Sequence, residues 1–414
     1  MGSLTACGTK IGIYSFTSSV TINGGRVIVT GKDHEGIFAD YGLTINGGWV
    51  EATGGSDGIS SPHDPVIING GKVEATGGSH GIFAITDKVT INGGQVTATG
   101  GTNGDGIYAE DDITLGWTNA TDFIQASSYC VSGSNSVKIP AGKYLSYTYV
   151  KNNRNTTKVM GDANTDYVFG AEGNFTTLED IKNQTLRPAM VIYSEQNVDI
   201  CITDGCWNLF PDGKAYAVTG YDTATGTVTL SEALAGVPED VPVILVPDPA
   251  FHKIILIASS STEEAEAIRN NSILTTRSSL FAVGDGVKTM AKLIAEATGT
   301  SGATGDYMVF TLEDGMFRAA SFSDDSVPAA GKCFLVVSKW DVLQMTRNGV
   351  TLSANGARGI PFDLGEATGI SLTPSPSPKG EGSEYWYSLD GRKLDKAPTK
   401  KGVYIRSGVK VIIK

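Results

Sequence analysis

The sequence predicts an all-β protein: a parallel β-helix of about 23 residues per coil, then two small antiparallel β modules and a short C-terminal β tail. Three observations predict it. Ile-Asn-Gly-Gly begins at Ile22, Ile45, Ile68 and Ile91, so the step is 23 residues each time. A fixed period of that size marks a solenoid. Within each copy, apolar and polar residues alternate with the period of two that strands require. The chain also carries 52 glycines and only 8% aromatic residues, a composition suited to short strands and many turns.

Each coil is justified column by column. Val20, Leu43, Val66 and Val89 form one apolar column. Ile22, Ile45, Ile68 and Ile91 form the next, and Val27, Val50, Val73 and Val96 a third. Val29, Ala52, Ala75 and Ala98 form a fourth, and the isoleucine of each Gly-Ile pair (Ile37, Ile59, Ile82, Ile107) a fifth. These columns are expected to point inward, and Thr30, Thr53, Thr76 and Thr99 outward. Asn23, Asn46, Asn69 and Asn92 are expected to stack as a ladder at the turns, where asparagine is favoured. The coils are read as continuing through irregular last turns to residue 188, giving a repeat domain over 1–188.

Beyond Pro188 two stretches look alike. Lys214–Thr219 leads through Val228-Thr-Leu230 to Val237-Pro and a final apolar strand. Tyr307–Phe310 leads through Met316–Ala320 to Val327-Pro and a final apolar strand. They are read as antiparallel β modules over 189–250 and 251–370, the second with one short helix at Ser261–Arg269, whose start is rich in Glu. Alternating prolines make 371–384 a Pro/Ser/Gly linker. Residues 385–414 restart as three strands around an Asp-Gly turn, too small to be stable without docking.

Composition narrows the function. The net charge of -12 repels phosphate backbones, which argues against nucleic acid as a partner. No apolar run is long enough for a transmembrane segment. Met1-Gly-Ser-Leu4 lacks the features of a signal peptide, and the chain opens in mid-repeat at Gly12-Ile13-Tyr14. The native N-terminus is therefore expected to be missing. Five cysteines are too few for a disulfide scaffold, and none has zinc-ligand spacing. A bridge between Cys201 and Cys206, which bracket Ile-Thr-Asp-Gly, stays open.

Candidate site residues come from the turn edges and outward columns. If the Gly-Ile isoleucines point inward, the next residues point out: Tyr14, Phe38, Ser60, Phe83 and Tyr108. This is an interrupted aromatic stripe, a surface suited to sugar rings. Trp49 belongs to another outward column, with Arg26, Lys72 and Gln95. Glu35, Asp57 and Asp105 stack with His80 on one turn edge and could hold Ca²⁺ through oxygen ligands; otherwise they form a solvated turn and no cofactor is implied. No nucleophile elbow or paired-carboxylate motif marks a catalytic centre.

The tail, with Tyr387-Ser-Leu-Asp-Gly-Arg-Lys-Leu394 and Gly402-Val-Tyr-Ile-Arg406, resembles the C-terminal tails of Bacteroidetes-type secreted and surface proteins, related to type IX sorting tails. The Thr-Ile-Asn-Gly-Gly repeats resemble carbohydrate-binding-like, adhesin-like β-helix domains of the same bacteria over about residues 15–188. The resemblance implies export, residence at the outer-membrane surface or secretion, and anchoring through the tail. The expectation is a non-catalytic surface protein whose β-helix binds a polysaccharide or a host or bacterial surface protein. The rival is a β-helix polysaccharide lyase or glycoside hydrolase, and a third reading is a structural stalk with no small-molecule ligand.

Overall fold

The computed structural model describes residues 2–132, 136–151, 154–161, 166–168, 178–193, 199–201, 205–210, 213–239, 241–247, 253–259, 261–269, 281–300, 304–313, 316–330, 332–348 and 360, and the strands of the tail. The first part is the predicted parallel solenoid. Three strands per coil build three faces. The long-strand face stacks Ser3–Gly8, Arg26–Gly31, Trp49–Gly54, Lys72–Gly77, Gln95–Thr99 and Phe123–Ala126. The Gly-Ile face stacks Ile13–Ser15, Ile37–Ala39, Ile59–Ser61, Ile82–Ala84, Ile107–Ala109 and Tyr129–Val131. The Asn-turn face stacks Val20–Ile22, Leu43–Ile45, Val66–Ile68, Val89–Ile91, Ile113–Leu115 and Val137–Lys138.

Like sits on like. Val27 pairs with Val50, Val50 with Val73, Ile37 with Ile59 and Ile59 with Ile82. The five inward columns are buried as expected apart from Val20 in the first coil, which is half-buried, and Ile45, Val50, Ile59, Ile68, Ile82 and Ile91 are fully closed off. The Asn-Gly-Gly turns explain the glycines. Gly48 has φ +89°, and a Cβ there would lie 2.4 Å from the Gly25 carbonyl oxygen of the preceding coil. At Gly58 a Cβ would lie 2.6 Å from the Thr76 backbone nitrogen, so the coils can approach there only without a side chain.

The asparagine ladder forms. Asn46 Nδ2 donates to Asn23 Oδ1, Asn69 to Asn46 and Asn92 to Asn69, each at 2.8 Å. Asn46 sits inside the ladder with two such bonds, and Asn23 at its end with one. With about 0.5–1.5 kcal/mol per bond, Asn46→Ala is expected to cost about twice what Asn23→Ala does. Denaturant midpoints of the two variants check this.

The parallel ladder ends at Val137–Lys138, and the strands that follow, still within 1–188, pair antiparallel. Tyr144–Lys151 pairs with Arg154–Met160 and with Thr185–Tyr193, and Leu186 of the last pairs with Ile124 of the final long strand. The last edge of the long-strand face is thus covered by a reversed strand rather than by another coil, which removes an open edge there. Trp117, Leu145, Tyr147, Leu186 and Trp207 join the solenoid core there, and Trp117 Nε1 donates to the Tyr144 carbonyl at 2.7 Å.

The two look-alike stretches share one topology. In the first, Asp199–Cys201, Val243–Val246, Lys214–Asp222 and Thr227–Leu230 lie side by side in that order. In the second, Phe281–Val283, Cys333–Ser338, Tyr307–Glu313 and Met316–Ala320 repeat it. The expected helix is present at Thr262–Arg269. Where one helix was expected in 251–370, two more stand, Met290–Thr298 and Lys339–Arg347. The first buries Met290, Leu293 and Ile294 and stops at Gly299 with φ +69°; the second is capped by Ser338, whose side chain accepts from the Asp341 backbone N–H. Both are short helices whose apolar spacing is easily taken for strand. Cys206 is a free, buried thiol, so it forms no bridge to Cys201.

Contacts divide the chain into Met1–Ile360 and Pro361–Lys414. The second unit contains a sheet of four strands rather than three, in the order Lys393–Leu394, Trp386–Ser388, Gly402–Arg406, Val409–Ile413. The linker at 371–384 and the Asp390-Gly391 turn lie outside the described residues. No described helix is long and apolar enough to cross a membrane.

Candidate functional site

Each strand of the Gly-Ile face is three residues long, with its first and third side chains pointing into the core and its second outward. Tyr14, Phe38, Ser60, Phe83 and Tyr108 are therefore set in one register column, each paired with the next. The structure brings the predicted stripe together and splits it at Ser60. On one side Tyr14 and Phe38 lie 5.2 Å apart between ring centroids, with Phe16 stacked 6.1 Å from Tyr14. On the other, Phe83 and Tyr108 lie 5.1 Å apart edge to face, with His80 4.6 Å from Phe83 and 5.3 Å from Tyr108. Tyr14 and Phe16 are 56% and 61% exposed, so this end of the stripe is open to a ligand. Tyr108 Oη donates to Glu110 Oε2 at 2.9 Å, and that bond is the main cause of a phenol held above its ordinary pKa.

A separate stack stands in the turns that follow these strands. Tyr41, itself exposed, stacks on His63 at 5.9 Å with the planes 22° apart. His63 Nδ1 lies 2.9 Å from Oδ1 of the buried Asp40, which fixes the orientation of the imidazole.

Trp49 stands elsewhere, on the long-strand face. Arg26 lies 4.3 Å over its ring and Lys72 Nζ 4.5 Å, so cations from the two neighbouring coils occupy the surroundings of the indole. The ring is sequestered by its own column and separated from the aromatic patch.

The acidic turn edge is bonded from coil to coil. Asp57 Oδ1 accepts from the His80 backbone N–H at 3.0 Å, His80 Nδ1 accepts from the Asp105 backbone N–H at 3.1 Å, and Asp105 Oδ1 accepts from Ser128 Oγ at 2.7 Å. Glu35 occupies the coil before Asp57; its backbone carbonyl accepts from Gly12. Among the described residues no group of three or more potential metal ligands gathers. Burial is the largest influence on Asp57 and pushes its carboxyl above the ordinary 3.8; the bond from His80, its charge and Ser56 pull the other way. The folded chain thus holds this proton more tightly than the unfolded chain does. Stability from this group is gained as the pH falls towards 3.8 and lost as it rises through the higher folded value. Asp57→Asn is expected to raise the thermal midpoint at neutral pH and to weaken that acid-side gain. Thermal unfolding at a series of pH values checks it.

Residues 1–164 match the model of a family described as carbohydrate-binding domain-containing protein. The match spans the whole solenoid and the first antiparallel strands that close it. Neither a curated protein nor a solved structure matches the chain.

Phe16, Tyr41, Asp40 and His63 were not among the residues the sequence singled out. Phe16 was within reach, since it lies two residues after Tyr14 and strand alternation returns it to the same side. The Tyr41–His63 stack was hidden because the Gly-Ile steps are unequal: Ile37 to Ile59 is 22 residues, Ile82 to Ile107 is 25. A fixed ruler of 23 misaligns the turn that follows the strand.

Proposed function

We propose that this protein is a non-catalytic, exported surface protein that binds polysaccharide through the aromatic patch on the Gly-Ile face of its solenoid. One observation carries the reading: five coils place Tyr14, Phe38, Phe83 and Tyr108 in a single outward column on a rigid support, interrupted only at Ser60. Aromatic rings offer large contact area with little rotamer freedom to lose, which is how a rigid surface gains affinity for sugars. The match of residues 1–164 to a carbohydrate-binding domain-containing family supports the same ligand class.

The antiparallel modules act as spacers and the four-stranded tail as a sorting or anchoring unit at the outer-membrane surface, in keeping with the resemblance of the tail to sorting tails. A panel of immobilised plant, host and bacterial polysaccharides probed with the full chain tests the ligand class. Retention on at least one polysaccharide is expected, and retention on none overturns it. Expression of the native gene product in its own cells, with surface proteolysis as readout, tests the location; a product confined to the cytoplasm overturns that part.

A further inference from the structure

We infer that His80 is a pH-sensitive switch within the aromatic patch: protonation of its imidazole breaks the bond that holds the ring against Phe83 and Tyr108, and polysaccharide binding weakens. The inference rests on the proposed function and names the regulation of the same site.

The switch begins in the column of acceptors on the turn edge. Asp57 Oδ1 accepts the backbone N–H of His80 in the next coil at 3.0 Å. His80 does the same one coil on, where its Nδ1 accepts the backbone N–H of Asp105 at 3.1 Å. An imidazole thus fills a place that a carboxylate fills in the coil before. The two acceptors differ in one respect. A carboxyl group keeps a lone pair for its donor whether or not it is protonated, whereas Nδ1 accepts only while it carries no proton. The bond from Asp105 therefore fixes the neutral ring, with its hydrogen on Nε2. Histidine is also the side chain whose ordinary change of charge falls between about pH 5 and 8.

The ring that makes this bond is part of the patch. Its centroid lies 4.6 Å from Phe83 and 5.3 Å from Tyr108, and those two lie 5.1 Å from each other. Three rings at such similar distances form a triangle, and moving one leaves the other two without a neighbour on that side. A proton on Nδ1 would set two N–H groups head to head at 3.1 Å. The ring has to turn away, and the triangle opens.

The charged groups around His80 push the same way. In the coil before, the Asp57 carboxylate accepts from the His80 backbone and from Ser56 Oγ. In the coil after, Asp105 Oδ1 accepts from Ser128 Oγ, and Cys130 of the coil beyond also bonds to the Asp105 carboxylate. Glu110 is tied to Tyr108 Oη. Among the described residues none of these carboxylates bonds to the neutral imidazole. An imidazolium is drawn to Asp57 or Asp105, and either pairing takes Nδ1 off the Asp105 N–H.

The test uses the full chain and a polysaccharide of the panel that retains it, with affinity electrophoresis at about pH 8 and about pH 5. The wild type is expected to bind about tenfold more weakly at the lower pH, the scale of one lost aromatic contact. His80→Asn keeps an acceptor oxygen at the δ position and does not titrate, so its binding is expected to stay within about twofold between the two pH values. Circular dichroism reports whether it is folded; if it is not, His80→Asp replaces it with the same expectation. Asp57→Asn also keeps its acceptor oxygen and is expected to keep the step, which separates His80 from the neighbouring carboxyl that burial holds above 3.8. Nuclear magnetic resonance supplies a readout without ligand. The His80 imidazole signals, among those of four histidines, are identified by their loss in the folded variant, and the ring signals of Phe83 and Tyr108 are expected to shift over the same pH range. Wild-type binding that is unchanged or tighter at the lower pH, a step that persists in the folded His80 variant or vanishes in Asp57→Asn, or ring signals that stay still while the imidazole titrates, overturns the inference and leaves glycan binding standing. Retention on no polysaccharide at either pH overturns the parent reading with it.

Discussion

Ile59→Ala is expected to lower the free energy of unfolding by about 2–5 kcal/mol, the range for truncating a fully buried isoleucine. Ile59 has no exposed surface, and its in-register neighbours Ile37 and Ile82 have none either. The side chains above and below are held by their own strands at a fixed coil spacing, so they cannot collapse into the space left behind. The cost should fall towards the upper part of the range for that reason. Ile13, in the first coil, is only partly buried and has a neighbour on one side, Ile37. Ile13→Ala should therefore cost less than half as much. Denaturant unfolding followed by circular dichroism separates the two. Equal costs would show that coil position does not matter and that the stack does not behave as a sum of neighbour contacts.

Replacing both Phe38 and Phe83 by Ala is expected to weaken polysaccharide binding about a hundredfold, taking about tenfold for each lost ring. The two residues lie on opposite sides of Ser60 and share no ring contact with each other, so the losses should add in free energy. The fold should survive, because the inward residues of the same strands, Ile37, Ala39, Ile82 and Ala84, are untouched and fully buried. Trp49→Ala supplies a contrast. Its ring lies on another face between Arg26 and Lys72, and its loss is expected to leave binding within about twofold while removing two cation–π contacts worth about 0.5–1 kcal/mol each. Affinity electrophoresis with thermal melts on the same samples reads both quantities. Full binding by the double variant would remove the aromatic patch as the site.

The two faces show what kinds of information a repeat carries. The columns Val27–Val96 and Ile22–Ile91 could be placed from periodicity because every coil repeats the same inward choice. The asparagine ladder followed for the same reason, and so did the paired topology of the two antiparallel modules, whose Val-Pro turns recur at matching places. The end of the solenoid could not be placed that way. Its closure depends on Leu186 meeting Ile124 across some sixty positions of sequence, and no local pattern states which distant strand will cover an edge. The helices at Met290–Thr298 and Lys339–Arg347 fell to the ambiguity of short apolar runs.

By itself, the sequence determined the solenoid, the direction of each column and the existence of an outward aromatic row, because a stack of parallel coils turns one-dimensional spacing directly into contact. Only the tertiary structure decided which of those aromatics are available. It set Trp49 between two cations, bonded Asp57 and Asp105 into the coil-to-coil network, left Tyr14 and Phe16 exposed beside Phe38, and packed His80 against Phe83 and Tyr108. These outcomes depend on how side chains of unequal size fill a fixed spacing between coils, and that is a property of neighbours in space rather than of order along the chain.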